Sequence, residues 1–342
     1  MWRPPSMRKS LLWSVIGSLS FACAPASELE LYRLRVSQAL DRDVPLDYER
    51  IEAYPRQRDL RVPIVRDDIG IIAFAELHQC DLGGLVGGRN SGLGRFAGAS
   101  QRLAYEIRFL DAAATCELEW VQDLRRQKQS RLPALLWNAI FAGPELTGAF
   151  AARQHEGGRQ AGAIVSAGPL EALRLTVDAI LQGDLNLDVR AFEETLFELK
   201  RQAYGERRHR WTALRRTLNA VSRVLRTSRV CLNDSPTPRS RRLAAVFVRH
   251  YVEGVQAVAA RMQREDRDWL EALARLYDAL APSAPPAYAD FHRSVVAYHA
   301  PRSEWARTQA AFREHAGAWQ TLFEACGLRM SDVVTSARIE VR

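Results

Sequence analysis

Two stretches of this 342-residue chain carry side chains in arrangements that can do chemistry. Arg89, Asn90 and Ser91 lie in a glycine-dense run, and Gln101, Tyr105 and Glu106 follow on a segment with helical patterning. Gln101 and Tyr105 stand four apart, so a helix puts both on one face, where an amide and a phenol offer mixed donors and acceptors. Arg89 adds a planar fork suited to carboxylate or phosphate. The six form a candidate polar site. The competing structural reading is that Asn90 or Ser91 caps a helix while Arg89 pairs with Glu106.

The second stretch is basic. Between Lys200 and Arg229 ten Lys or Arg residues face one acid, Glu206. Arg201, Arg208 and Arg215 recur every seven residues, with Arg216 and Arg223 on a neighbouring row. Such a face suits an acidic protein surface or an anionic lipid. The opposing expectation is a solvated helix face neutralised by Glu193, Glu194, Glu198 or acids elsewhere in the fold.

Other motifs fall short of a mechanism. His155-Glu156 opens like a zinc-protease signature but lacks the second histidine four residues on. His292 and His299 are two helical turns, about 10 Å, apart, so one metal would need a third segment, for which His315 is the candidate. No Gly-x-Ser-x-Gly elbow is present. The run from Gly83 to Arg95 lacks the lysine of a phosphate loop and reads as a loop with tight turns. No metal and no cofactor are therefore expected, and catalytic residues remain unassigned. The expected function is binding or scaffolding in the cell envelope, and the rival is an envelope hydrolase acting on peptidoglycan or lipid, its residues assembled across the fold.

The N-terminus reads as an address. Arg8-Lys9 precede an apolar stretch from Leu11 to Ala22, the shape of a secretory signal and too short for a permanent span. Met7 is an alternative start to Met1. Ala22-Cys23 suggests lipoprotein cleavage, with Ser20 and Phe21 departing from the usual pattern, and cleavage after Ala26, which would give a soluble periplasmic protein, is the rival. Ala24, not an acid, follows the cysteine, which favours the outer membrane facing the periplasm. The expected partner is thus a membrane through lipidated Cys23, and export argues against nucleic acid. Four cysteines remain, Cys80, Cys116, Cys231 and Cys326, spaced too widely for a zinc motif. In an oxidising compartment they suggest two disulfides with three possible connectivities. The preferred set is Cys80–Cys116 and Cys231–Cys326, each worth about 3–5 kcal/mol by the chain-entropy model.

These groups must be positioned by helices. The chain is 47% apolar and 26% charged, at the globular average, and holds no run of the roughly 18–20 apolar residues that a spanning helix needs. The net charge of +8 falls to +5 once the leader is set aside, and only three of 48 basic residues are Lys. Residues 23–68 read as a tether, a short helix and a proline-rich arm carrying Pro45, Pro55 and Pro63. An N-terminal helical half spans 69–154 and includes an apolar helix from Ile69 to Gln79. A linker follows at 155–169, then a C-terminal half at 170–342, which packs with the first as one domain or stands apart. One long helix is expected from Asp188 to Arg229, with Leu214, Leu218, Val221 and Leu225 on one stripe. The fold class is all-α, a bundle-like globule with irregular loops. Oligomeric state is open.

Ordered motifs add a resemblance. Ile69 to Phe74, Cys80-Asp81-Leu82, Arg89 to Arg95, Ser100 to Leu110, Trp137-Asn138-Ala139, Thr237-Pro238, Trp319 and Cys326-Gly327-Leu328 together resemble a proteobacterial lipoprotein family known as domain of unknown function 3080. The resemblance covers most of the chain after Tyr54. It implies an envelope lipoprotein, supports the five cysteines as a set, and implies no activity. Gly87, Gly88 and Gly92 depart from the bulkier or more polar residues that the pattern leads one to expect.

Overall fold

Ser27 starts the first helix, α1 (Glu28–Leu40), its hydroxyl oxygen accepting the Glu30 N–H in the way an N-cap satisfies an orphan donor. The computed structural model describes residues 27–65, 67–151, 165–331 and 333. The leader with Cys23, the His155-Glu156 pair and the 155–164 part of the expected linker lie outside them. Among the described residues the chain is all-α, the only strand-like pairing being an isolated bridge between Leu232 and Ser235.

After α1 the proline-bearing arm runs without regular structure to α2 (Gln57–Leu60). Asn138 anchors it by acting as a strand partner would. Its side chain accepts the Val62 N–H and donates to the Val62 carbonyl, both at 2.8 Å. Trp137 Nε1 donates to the Leu60 carbonyl at 2.8 Å, and the Tyr54 hydroxyl to that of Phe141. Next come α3 (Ile71–Glu76), α4 (Gly83–Asn90), α5 (Gly92–Arg95), α6 (Ala99–Ala112), α7 (Glu119–Ser130), α8 (Leu132–Ile140) and α9 (Pro144–Phe150). Pro133 falls in the first turn of α8, where a missing N–H does no harm, so the chain breaks at Arg131 between α7 and α8.

The remaining helices are α10 (Gly168–Leu181), α11 (Val189–Arg201), α12 (Tyr204–Arg226), α13 (Pro238–Val246), α14 (Ala257–Leu280), α15 (Pro286–Phe291) and α16 (Glu304–Glu324). A π-helical stretch, Phe247–Gln256, joins α13 to α14. The expected 188–229 helix is two helices. Gln202 takes an extended backbone, ψ 141°, and Gly205 lies so close to the Phe150 and Ala151 carbonyls that a Cβ would collide with them. Close packing against the end of α9 therefore breaks the helix ahead of the apolar stripe, which lies wholly within α12. The glycine-dense segment is corrected in the opposite sense. Helices α4 and α5 form there because Leu82 and Val86 bury into a core and Ser91 caps α5, offsetting about 1 kcal/mol per helical glycine. The helix expected over 69–79 shrinks to α3 and a 3₁₀ turn, Leu77–Cys80.

Three apolar cores result. The largest gathers α6, α8 to α11, the C-terminal part of α14 and α15, and so draws residues from both sides of 155–169. The second joins α1, most of α12, α13, the π-helical stretch, the start of α14 and α16. A small third core lies under α4, between Leu77, Leu82, Val86, Phe109, Val121 and Leu124. Cys80 and Cys116 are bonded at its edge, with Cα atoms 5.3 Å apart, and Cys231 and Cys326 beside the second core at 5.2 Å. Of the three connectivities open to four thiols, these are the pairs formed.

Where α12 and α14 pass from one large core to the other, the layer between is charged. Arg207 Nε donates to Asp266 at 2.8 Å and its Nη2 to Glu265. Arg208 grips Glu304 with Nε at 3.0 Å and Nη2 at 2.6 Å. Both arginines and Asp266 are buried, as charges must be only when paired.

Candidate functional site

The six polar residues of the candidate site divide. Helix α5 folds back on α4 so tightly that a Cβ on Gly94 would collide with the Gly88 and Arg89 carbonyls. This hairpin faces α6, and between them opens a pocket of about 250 Å³ lined by Arg89, Gln101, Arg102, Tyr105 and Arg108 above the backbone of Gly84, Gly88 and Gly94. Arg89, Gln101 and Tyr105 are thus brought together. The other three are not. Ser91 caps α5, accepting the Gly94 N–H at 3.1 Å and donating to the Gly88 carbonyl at 2.7 Å. Asn90 is the exposed last residue of α4. Glu106 pairs with buried Lys128 at 2.8 Å rather than with Arg89, and Lys128 also holds Asp67.

Each pocket group is held in place. Arg89 donates Nη1 to the Gly94 carbonyl at 3.1 Å, and its guanidinium lies 5.7 Å from the Tyr105 ring centre, within cation–π range. Gln101 donates Nε2 to Glu193 on α11 at 2.8 Å, which leaves its carbonyl oxygen as acceptor. Ser100 donates to the same carboxylate oxygen at 2.7 Å. Arg102 donates Nη2 to the Arg95 carbonyl at 3.2 Å. Burial pushes the Tyr105 phenol up, with the Glu106 charge adding to the effect, so it stays protonated and can donate a hydrogen bond. Sequence reasoning missed Arg102 and Arg108. Arg108 stands seven after Gln101 and three after Tyr105, on the same helix face, so the spacing carried the signal.

The basic helix does not present the expected anion-binding face. Arg208 and Arg215 are 2% and 3% exposed. Arg215 binds Glu49 through Nε at 2.9 Å and Nη2 at 2.6 Å, and Thr308 through Nη1 at 3.0 Å. Arg216 donates to the Asp47 carbonyl and Arg223 to the Asp47 carboxylate. Arg201 is exposed but belongs to α11, across the break. The neutralising acids come from the arm and from α14 and α16, not from Glu193, Glu194 or Glu198. Between the arm and α12 a second cleft of about 740 Å³ opens, lined by Glu49, Glu52, Tyr54, Arg208, His209 and Arg216 among others. Both signs of charge meet there.

The histidines build no metal centre: among the described residues no group of three or more His, Cys, Asp or Glu is placed to hold an ion. His315 instead sits in the second core. The Tyr32 hydroxyl donates to Nε2 at 2.8 Å, and Trp319 Nε1 donates to the Tyr32 oxygen at 2.9 Å. Nδ1 lies 2.9 Å from Ser222 Oγ and 3.2 Å from the Leu218 carbonyl. Because the Ser222 hydroxyl donates to that carbonyl at 2.6 Å, the consistent assignment is a neutral ring protonated at Nδ1. Ser222 and His315 resemble a nucleophile and its base, yet they are 2% and 0% exposed, sealed from any substrate. Their role is to tie α1, α12 and α16 together.

Fold and site define a disulfide-stapled helical protein with an arginine-lined pocket between a glycine-rich hairpin and α6. The chain belongs to the family "Protein of unknown function (DUF3080)", whose model matches residues 29–330. No curated protein and no solved structure matches it.

Proposed function

We propose that this chain is a cell-envelope lipoprotein, held at the periplasmic face of the outer membrane by acylated Cys23, that binds an anionic group in the pocket between α4, α5 and α6. The composition of the pocket wall carries the binding reading: three arginines, an amide and a protonated phenol, and no carboxylate. Guanidinium groups grip phosphate or carboxylate oxygens through charge-assisted, often bidentate, bonds. The Arg8-Lys9 leader, Ala22-Cys23 and two cysteine pairs at bonding distance support export to an oxidising compartment. No helix of the described residues is long and apolar enough to cross a membrane, which fits an anchor outside the helical body.

Titration with inorganic phosphate, followed by calorimetry, tests the pocket. Saturable binding is expected, weakened about tenfold or more in Arg89→Ala and in Arg108→Ala, the loss of one hydrogen bond to a charged group. Arg201→Ala, on the other side of the helix break, should bind as the parent does. Absent saturation, or equal affinity in all four proteins, would dismiss the pocket as a binding site.

A further inference from the structure

Five large apolar side chains among the described residues are at least four-fifths exposed, and four of them crowd onto two short helices: Ile71 and Ile72 at 90% and 80% on α3, Leu93 and Phe96 at 90% and 92% at α5. Single exposed apolar residues need no explanation; this concentration does. Both helices adjoin α4, which lines the pocket. Phe74 of α3 packs beside Gly87 of α4, and Leu93 and Phe96 neighbour the pocket residues Gly94 and Ala97 in the chain. Around Leu93 and Phe96 the charge is of one sign, since from Gly83 to Tyr105 there are three arginines, Arg89, Arg95 and Arg102, and no acid; the acids Asp67, Asp68, Glu76 and Asp81 lie in or beside α3.

We infer that this tip docks on an anionic lipid bilayer, with Ile71, Ile72, Leu93 and Phe96 entering the interface, and that the anion taken by the pocket is a lipid phosphate. The inference rests on the anion-binding reading of the pocket and names the source of the anion. Apolar side chains beside basic ones are the composition that holds a protein in the headgroup region, the first gaining from burial and the second from the negative surface potential. A pocket of about 250 Å³ is too small for a drug-sized ligand and suits a headgroup phosphate with its immediate substituents. The tether agrees. Only residues 24–27 separate Cys23 from α1, at most about 18 Å of extended chain, so acylation would keep the body at a bilayer.

The test uses residues 24–342, which contain every helix of the described residues and all three cores, so that neither leader nor lipid contributes. Sedimentation with vesicles containing phosphatidylglycerol should carry this protein down, and vesicles of phosphatidylcholine alone should not. A Leu93→Ser/Phe96→Ser variant should lose about tenfold or more in vesicle affinity from the apolar burial forgone, and Ile71→Ser/Ile72→Ser likewise. Both should keep their thermal melts and their affinity for inorganic phosphate, whereas Arg89→Ala should lose phosphate and vesicles together. Phosphate binding without vesicle binding would overturn the bilayer inference and leave the pocket reading standing. Loss of phosphate binding in the parent would overturn both. Self-association abolished by the serine variants, with no vesicle binding, would assign the tip to a second copy of the chain and overturn the inference.

Discussion

Asp266→Ala is expected to cost about 3–5 kcal/mol of folding stability, the range for removing one partner of a buried ion pair. Asp266 is 0% exposed and accepts from Arg207 Nε and from the Trp211 indole. Burial pushes its carboxyl up, and Arg207 with the Trp211 N–H pulls it back. The position explains the size of the effect. Met262, one turn before, belongs to the second core, and Trp269, one turn after, to the largest. Deleting the carboxylate strands a guanidinium between two apolar masses, with only the half-exposed Glu265 left to it. Arg207→Met combined with Asp266→Ala should recover much of the loss, because the stranded charge goes too. Denaturant unfolding of the three variants checks this. A cost below about 1 kcal/mol for Asp266→Ala, the value of a surface pair, would mean the junction is open to water.

The second large effect is acid lability centred on His315. Its pKa is lowered to about 3, chiefly by burial, with the Leu218 carbonyl pulling the other way. The ordinary value is 6.5. Between these two values the unfolded chain takes up a proton that the folded chain refuses, so stability is present above pH 6.5 and is lost as pH falls toward 3. At 1.36 kcal/mol per unit, the drop from pH 7 to pH 4.5 is about 3 kcal/mol from this residue alone. His315→Gln removes the titration. It should lower stability at neutral pH and flatten the pH dependence over that window. Urea midpoints for both proteins at pH 7 and 4.5 decide the matter, and parallel slopes would place His315 in contact with water.

How much of this the sequence revealed depends on range. The apolar stripe Leu214, Leu218, Val221 and Leu225 is a local pattern, and all four residues are buried. The break at Gln202 was hidden because its cause, the carbonyls at the end of α9, lies more than fifty residues before Gly205. The fate of the arginine face was hidden for the same reason: Glu49 meets Arg215 across 166 positions and Glu304 meets Arg208 across 96. A run of arginines reads as a surface until its counter-ions are located. For the pocket, the helix face with Gln101 and Tyr105 was legible, and Arg108 lay on it unread. Ser91 as a cap was equally legible, since serine before a short helix has one common use. Glu106 was misassigned because its partner Lys128 arrives from α7, and the glycine run because propensity yields to burial of Leu82 and Val86.

The proposed membrane anchor depends on the address at Cys23, which is therefore the central claim. Intact mass of protein extracted from membranes, native and after reduction and alkylation, measures it, with Cys23→Ser as control. The expected species begins at a triacylated Cys23 and takes up alkyl groups at Cys80, Cys116, Cys231 and Cys326 only after reduction. An unlipidated chain that retains residues 1–22, with all its thiols alkylated without reduction, would contradict export, the anchor and the bilayer-facing tip together.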